Sequence, residues 1–315
     1  MSTSGSACQP MFLAFVSLLV IVDRSEADFN YESFDVGTGQ TYVYGLNDLG
    51  QIVGASNNGF GYVRTGSTVA TFGVPNLPGV FFHDGSINNA GVIAGTYFDP
   101  NDPVLDHAFI KNGSSFSKFD VSGANGTYAR GINDLGQIVG DYFGSSFGGS
   151  GYVKDGSAFS LYNYPLPIFN FFNNDINNFG KIVGTIFDNE GYHGFLKDGS
   201  NYTIFDFPGA KRTFAQGIND LGQIVGYYSL DDNSPAHGFL KNGALFTSFD
   251  FPGANGTYAN DINNLGQIAG NYYKYDLDNL SHGFLASVPE PSSLALVGIG
   301  LAGLLAFGLR RPSRR

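Results

Sequence analysis

The ten residues GINDLGQIVG stand at 131–140 and occur again, unaltered, at 217–226. A phosphate-binding loop would need Gly-x-x-x-x-Gly-Lys-Ser/Thr, or Gly-x-Gly-x-x-Gly leading into a helix, whereas here the last glycine of Asn-Asp-Leu-Gly is followed by Gln and an apolar strand-like run. Asn-Asp-x-Gly between apolar residues is typical of a tight hairpin turn, because Asx side chains bond nearby amides and Gly adopts a positive φ. The stretch therefore predicts a structural turn.

Variants of this turn occur six times along the chain. Their first asparagines are 41 to 45 residues apart and stand at Asn47, Asn88, Asn133, Asn177, Asn219 and Asn263. A period of this length is that of a four-stranded propeller blade. Each period also holds aromatic strand-like runs, such as HGFLKNG at 237–243 and SFDFPG at 248–253, and the Asn-Gly between two runs is a strong hairpin signal.

The two ends of the repeat region predict a closed ring. The region begins with an SFD-type strand at 29–36 and ends with an HGF-type strand at 281–286, which elsewhere are the two halves of one hairpin. Pairing of these ends would hide sheet edges without a disulfide. We therefore predict an all-β, six-bladed β-propeller of four-stranded antiparallel blades over residues 28–287, closed by its N- and C-terminal strands. An open β-solenoid is the alternative.

The residue after each turn asparagine alternates between Asp and Asn. NDLGQIVG is identical at intervals of 86 residues, and the intervening copies begin with Asn-Asn. The alternating residues are Asp48, Asn89, Asp134, Asn178, Asp220 and Asn264. We interpret the alternation as a trace of duplication, with a ring of weak cation sites at the three aspartates as a secondary hypothesis.

The N-terminal residues 1–27 predict a signal peptide. Met11 to Val22 form an apolar run, and Ser25-Glu26-Ala27 suits signal peptidase. Residues 1–10 hold no Lys or Arg, unlike an ordinary secretory leader, so an uncleaved N-terminal membrane anchor is the alternative.

The C-terminal residues 288–315 have three parts in order. Val288-Pro289-Glu290-Pro291 comes first, an uncharged apolar stretch at 294–309 follows, and a basic cluster comes last. The cluster consists of Arg310, Arg311, Arg314 and Arg315. Sixteen residues of helix span about 24 Å, the short limit for a transmembrane helix, and the arginines would stay on the cytoplasmic side.

These motifs resemble two known families. The tail resembles the PEP-CTERM sorting signal of Gram-negative bacteria, and the resemblance implies export, membrane anchoring until an exosortase removes the tail, and release to the cell surface. An ordinary tail anchor is the alternative. The repeats are similar to the HAF family of extracellular repeats over 29–287, with His107-Ala108-Phe109 present literally. That resemblance implies an extracellular repeat fold and supplies no activity.

Charge narrows the class of partner. Removal of both ends takes away five of the 16 basic and three of the 27 acidic residues, which leaves a net charge of −13. Such a domain repels nucleic acid and anionic lipid and favours cations or neutral sugars.

The candidate binding face is the side of the propeller opposite the uniform turns, where the loops vary. Its aspartates are Asp99, Asp102, Asp106, Asp188, Asp231, Asp232, Asp276 and Asp278. Their oxygens suit Ca²⁺, although none shows EF-hand spacing. The histidines His107, His193, His237 and His282 lie in different repeats, so no shared zinc site is expected.

The sequence thus predicts a non-enzymatic exported protein that binds exopolysaccharide, cations or surface proteins through this face. It names no catalytic residue. A propeller glycoside hydrolase or lyase is the alternative, and it would need two carboxylates roughly 5 to 10 Å apart.

Overall fold

A computed structural model describes residues 29–75, 77, 81–104, 106–144, 150–164, 170–274 and 280–287. Within these ranges the chain is all-β, with short antiparallel strands joined by turns and no helix. The strands are β1 (Asn30–Phe34), β2 (Thr41–Leu46), β3 (Gln51–Ser56), β4 (Gly61–Thr65), β5 (Thr68–Phe72), β6 (Phe81–Ile87), β7 (Ile93–Phe98), β8 (Asp106–Asn112), β9 (Ser115–Phe119), β10 (Gly126–Ile132), β11 (Ile138–Phe143), β12 (Ser150–Asp155), β13 (Ala158–Tyr162), β14 (Asn170–Ile176), β15 (Ile182–Phe187), β16 (Tyr192–Asp198), β17 (Asn201–Phe205), β18 (Arg212–Ile218), β19 (Ile224–Ser229), β20 (His237–Asn242), β21 (Leu245–Phe249), β22 (Gly256–Ile262), β23 (Gln267–Tyr273) and β24 (Ser281–Ser287).

The strands pair in antiparallel units of four, and single parallel bridges, Gly126 opposite Asp106 and Tyr192 opposite Arg212, join four of the units in pairs as eight-stranded sheets. Along the chain, β2 to β5 form one unit, and the next units begin at β6, β10, β14 and β18. The last unit begins at β22, and its outermost strand is β1, which pairs with β24 from Asn30 opposite Ser287 to Phe34 opposite Gly283. The first and last described strands therefore lie side by side, which is the pairing that the sequence predicted for the two ends.

The first strands of the units form a continuous circle. Strand β2 contacts β6 on one side and β22 on the other, and β10, β14 and β18 continue the series between them. These six strands surround a central axis. The second strand of each unit follows directly outward, and the fourth strand is the outermost.

Two faces can be defined from the strand directions. The turn face carries the turns between first and second strands, such as 47–50, together with the hairpins between third and fourth strands, such as 242–245. The loop face carries the connections between second and third strands, such as 230–236, and those between units. Because Gln267, directly after a turn, pairs with Ser287, strand β24 ends at the turn face.

The core lies between neighbouring units and is built from aromatic rings laid over glycines. The third strands contribute Tyr62, Phe109, Tyr152, Phe195, Phe239 and Phe284, all fully buried. Under each ring lies the glycine that ends the Ile-Val-Gly or Ile-Ala-Gly of the second strand. At Gly184, an added Cβ would lie 1.9 Å from the carbonyl oxygen of Phe172 and 2.8 Å from the Phe195 ring. The repeated glycine is therefore a packing requirement.

Candidate functional site

Each turn asparagine closes its own hairpin. Asn47 Oδ1 accepts hydrogen bonds from the backbone N–H of Leu49 (3.1 Å) and of Gln51 (2.9 Å). Gly50 has a φ of 71°, in the left-handed region that other residues avoid. The other five turn asparagines are likewise buried.

The same asparagines join the units in a closed circle. The Asn47 Nδ2 donates to the backbone carbonyl of Asn88 at 3.0 Å, and each later asparagine donates to the next in the same way. The last one, Asn263, donates to the carbonyl of Asn47 at 3.0 Å. Six equivalent bonds thus lead around the axis and return to the first unit.

The Asp/Asn alternation forms a second closed circle. The Asn89 Nδ2 donates to the Oδ2 atoms of both Asp48 and Asp134, each at 2.8 Å. Asn178 and Asn264 bridge their flanking aspartates in the same way. An amide has two N–H donors and a carboxylate oxygen accepts two bonds, so strict alternation satisfies every member. The alternation is more than a trace of duplication.

These bonds bear on the hypothesis of cation sites at the three ring aspartates. Each Oδ2 accepts two amide donors, and each Oδ1 accepts a backbone N–H, such as that of Asn89 on Asp134 at 2.8 Å. A cation would have to compete with all of these donors. Over the described ranges, no group of three or more His, Cys, Asp or Glu side chains is placed to hold a metal ion.

Two further carboxylates lie beneath this circle. Asp175 Oδ2 accepts from the backbone N–H of Ile218 (2.9 Å), and Asp261 Oδ2 from that of Leu46 (2.7 Å). Burial raises the pKa of Asp175 to about 7, against the lowering effect of its backbone donors. Burial, with the charge of Asp175, raises the pKa of Asp261 well above its usual range.

A β-bulge in each first strand leaves one residue without a partner in the neighbouring strand. The register shifts leave Tyr44, His83, Arg130, Asn174, Gln216 and Asn260 as the unpaired residues. Bulges re-aim side chains near functional sites. Five of the six, all except His83, line an axial pocket of about 260 Å³ on the loop-face side of the turn circles.

One wall of the axial pocket is aromatic. Tyr227 lies 4.8 Å from Tyr258, edge to face, and Tyr258 lies 5.5 Å from Tyr273. Phe214 stacks on the outer side of Tyr227 at 4.6 Å. Tyr42 also lines the pocket and is partly exposed.

Amide side chains lie beside this aromatic wall. Asn174 Nδ2 donates to the carbonyl of Ala215 at 2.7 Å, and Asn260 Nδ2 donates to that of Val43 at 2.7 Å. Each of these bonds crosses from one unit to the next. Gln216 makes no side-chain hydrogen bond to any residue that the structure describes, so its amide is available to a ligand.

The opposite wall carries a buried ion network. Arg130 donates from Nη1 to Asp84 (2.9 Å) and from Nε to Asp141 (2.8 Å). Burial opposes the ionisation of Asp84, but Arg130 and then His83 lower the pKa of Asp84 overall. Burial raises the pKa of Asp141, although Arg130 counteracts it. His83 lies between Asp84 (3.2 Å) and Asp106 (3.0 Å).

The structure separates the predicted binding-face aspartates. Asp99, Asp188 and Asp231 each cap their own loop, as Asp231 Oδ1 does for Asn233 at 2.8 Å. Asp102 lies near His107 and Lys118, and Asp232 pairs with Lys211 and Arg212. Asp106 belongs to the His83 network and accepts from Tyr128 at 2.6 Å. Asp276 and Asp278 lie outside the described residues.

The four repeat histidines each bond one aspartate across the outer hairpin. Nδ1 of His107 lies 3.0 Å from Asp120, and Nδ1 of His282 lies 2.8 Å from Asp35, which joins the first and last strands. His193 pairs with Asp206 and His237 with Asp250. The histidines therefore hold hairpins together in separate units.

Sequence reasoning missed the axial residues. The signal was the position three residues before each turn asparagine, which is Tyr44, Gly85, Arg130, Asn174, Gln216 and Asn260 in otherwise similar repeats. Variation at this position sets it apart from the turn and core positions, which keep the same residue type in most copies. The inward and outward alternation of side chains along a strand does not reveal a bulge. The direction of these side chains therefore could not be predicted from the sequence.

The predicted signal peptide, the sorting motif from Val288 to Pro291 and the apolar stretch at 294–309 all lie outside the described residues. Among the residues that the structure describes, no helix has the length and apolar character needed to cross a bilayer.

Comparison with known families gives one result. Residues 287–314 match the PEP-CTERM protein-sorting motif. PEP-CTERM indicates an exported protein with a C-terminal sorting signal that exosortase processes. The similarity to HAF repeats rests on the sequence motifs alone.

Solved structures are similar in fold only. A putative TolB from Agrobacterium tumefaciens has a TM-score of 0.53 at 12% identity and covers 67% of this chain and 80% of its own. Virginiamycin B lyase from Staphylococcus aureus has a TM-score of 0.48 at 10% identity and covers 81% of this chain and 88% of its own. Aleuria aurantia lectin has a TM-score of 0.48 at 11% identity and covers 83% of this chain and 99% of its own. The likeness to the putative TolB supports a β-propeller-like all-β fold. No curated protein matches the chain.

Proposed function

We propose that this chain is an exported, non-enzymatic binding protein, a six-bladed β-propeller whose axial pocket takes a neutral saccharide of the surface matrix. The six blades are supported by the two hydrogen-bonded circles, in which Asn263 returns to Asn47. Residues 28–287 form the propeller in this proposal, and the resemblance of the repeats to the HAF family agrees with an extracellular location.

The chemistry of the axial pocket carries the proposal. Tyr227, Tyr258 and Tyr273 present apolar ring area with polar tips, while Gln216 offers one amide donor pair and one carbonyl acceptor. A sugar ring has an apolar C–H face and a rim of hydroxyl groups, so it can stack on the aromatic wall and bond to the amides. The volume of about 260 Å³ matches one or two sugar rings in scale.

Charge favours a neutral ligand over an anionic one. Arg130 is the cation in the pocket, and Asp84 and Asp141 already neutralise it. The net charge of −13 over residues 28–287 repels phosphates and acidic polymers. We keep Ca²⁺ or a surface protein at the loop-face aspartates as secondary ligands of the same face.

A glycoside hydrolase or lyase is the weaker alternative. Asp84 is the one carboxylate among the described residues that line the axial pocket, and it is bound to Arg130 at 2.9 Å. Arg130 also holds Asp141, and His83 also holds Asp106, but neither of these two carboxylates lines the pocket, so the pair of carboxylates that hydrolysis requires does not face a bound ligand. The available geometry therefore favours binding.

Delivery follows from the two ends of the chain. In this proposal, signal peptidase removes residues 1–27, the stretch at 294–309 anchors the exported protein, and exosortase removes the tail near Val288 to Pro291. The match of residues 287–314 to the sorting motif supports this route. Intact-mass spectrometry of the mature protein should show loss of Arg310 to Arg315 in a strain with exosortase. Retention of these arginines there would contradict the route.

The ligand is tested by an array of immobilised neutral oligosaccharides built from glucose, galactose, mannose and N-acetylglucosamine. We expect retention of the wild-type protein on one class and at least tenfold weaker retention of Gln216→Leu. Thr203→Leu, at an exposed position of the outer strand β17 away from the pocket, is the matched control. No retention above background on any neutral class would overturn the saccharide proposal.

A further inference from the structure

The turn face carries a ring of exposed apolar side chains around the axis. The third residue of each turn, between the ring Asp or Asn and the glycine, is large and apolar in five of the six copies. These residues are Leu49, Leu135, Phe179, Leu221 and Leu265, and they are 67 to 71% exposed. Ala90 holds the sixth position.

The turn itself gives no reason for apolar residues there. Its hydrogen bonds use the asparagine side chain and the backbone, and its tight bend uses the glycine, as at Asn133 and Gly136. Single exposed leucines are ordinary on protein surfaces. Five at equivalent positions around one axis form a ring of exposed apolar side chains instead, and such clustering is typical of contact surfaces.

The tail leaves the fold at this same face. Strand β24 ends at Ser287, which pairs with Gln267 directly after the turn at 263–266. Six residues separate Ser287 from the apolar stretch that begins at Leu294. A fully extended chain of this length spans about 25 Å at most. The turn face is therefore tethered close to whatever surface holds the apolar stretch.

Charge distribution separates the two faces further. Asp99, Asp188 and Asp231 lie in loop-face connections and have no ion pair with a lysine or arginine that the structure describes. Near the turn-face hairpins, Lys111, Lys154, Lys197 and Lys241 each donate to the carbonyl of the hairpin glycine. The three ring aspartates at the centre keep their negative charge, because the asparagine amides that bond them are neutral, and these four lysines offset it. The loop face would thus be repelled by an anionic membrane surface, whereas the turn face would not.

We infer that the turn face rests on the membrane that holds the sorting tail, with the five apolar side chains at headgroup level. The inference goes beyond the proposed function and depends on its claim that the tail spans the membrane. The axial pocket then opens away from the membrane, toward the matrix. The occupant of the apolar ring is the lipid interface.

The absence of tryptophan from the sequence allows a direct test. Leu135→Trp and Leu221→Trp each place one fluorophore in the ring, and Leu230→Trp places one on the loop face at 53% exposure as control. The full chain is reconstituted into phosphatidylcholine nanodiscs, with or without lipids brominated on the acyl chain close to the headgroup. We expect at least threefold stronger quenching of the two ring tryptophans than of the control.

Three other results would overturn the inference. Equal quenching of ring and loop-face tryptophans would show no preferred face. A concentration-dependent blue shift of the Leu135→Trp emission, without quenching by brominated lipid, would show that a second copy covers the ring. Failure of the chain to co-elute with nanodiscs would refute the membrane tail itself, and with it both this inference and the proposed anchoring.

Discussion

The side-chain amide of Asn263 donates to the backbone carbonyl of Asn47 at 3.0 Å, across 216 residues of chain. The bond is equivalent to five bonds between consecutive turns, of which that from Asn133 to Asn177 is typical at 3.1 Å. The first turn therefore meets the last as any turn meets its neighbour. The circle of turns thus closes at the axis, and the pairing of β1 with β24 joins the two ends of the chain at the outer edge.

Replacement of Asn263 should destabilise the fold strongly. Asn263→Ala removes the bond to Asn47 and leaves the backbone N–H groups of Leu265 and Gln267 without their acceptor. We expect a loss of about 2 to 4 kcal/mol in the free energy of unfolding, measured by urea denaturation. Asn101→Ala, at an exposed position, should cost less than about 0.5 kcal/mol. Equal effects of the two changes would refute the importance of the circle.

The alternation of Asp and Asn should matter at each ring aspartate. Asp134→Asn places amide donors opposite the Nδ2 groups of Asn89 and Asn178, which now donate to Asp134 Oδ2 at 2.8 and 3.0 Å. We expect a loss of about 1 kcal/mol despite the removal of a negative charge. The control is Asp198→Asn, since Asn242 occupies the equivalent hairpin position. It removes an exposed ion pair with Lys181 and should cost less than about 0.5 kcal/mol. A gain in stability from Asp134→Asn would show that charge repulsion dominates.

Arg130 should be needed for stability because it neutralises a buried charge. The Asp141 side chain is fully buried, and Arg130→Met leaves it with its bonds to Asn173 alone. We expect a loss of about 3 to 5 kcal/mol by thermal or urea unfolding. Arg212→Met removes an exposed pair with Asp232 and should cost at most about 1 kcal/mol. Similar losses would mean that the Arg130 network behaves as a surface pair.

The two buried aspartates predict a pH dependence of stability. Their folded-state pKa values are raised, that of Asp175 to about 7, so the folded protein binds more protons than the unfolded chain above pH ~4. The contribution of these groups to the free energy of unfolding is fully present below pH ~4 and is lost as the pH rises toward about 7. His83, whose pKa is also raised despite its burial, contributes in the same direction.

Urea unfolding between pH 4 and pH 8 measures this effect. The wild-type free energy of unfolding should fall over that interval, and Asp175→Asn should fall less steeply. His83→Gln is the control that isolates the histidine contribution. A wild-type free energy that rises with pH would show that the backbone donors of Ile218 and Ile176 keep the carboxylate ionised.

The repeats allowed the strand order to be predicted from the sequence. The Asn-Gly hairpins, the Asn-Asp-x-Gly turns and the split outer hairpin at residues 29–36 and 281–286 indicated four strands per period and the pairing of β1 with β24. Local turn chemistry determines these features, and it is visible in short stretches of sequence.

The axial pocket could not be predicted from the sequence in the same way. The inward direction of Arg130 and Gln216 depends on a bulge, and a bulge depends on pairing with the neighbouring strand. The predicted loop-face aspartates were chosen by their charge and by their place in the variable loops. Their caps and ion pairs, such as that of Asp232 with Arg212, became visible only in three dimensions.

The central claim is that the axial pocket, and not the set of loop-face aspartates, binds the saccharide. Calorimetric titration of the saccharide class retained on the array compares wild type, Gln216→Leu and Asp102→Asn. The account predicts a Kd about tenfold higher for Gln216→Leu, from the loss of about 1.4 kcal/mol of hydrogen bonding, and a Kd within about twofold of wild type for Asp102→Asn. The reverse pattern, with Asp102→Asn impaired and Gln216→Leu unchanged, would contradict it.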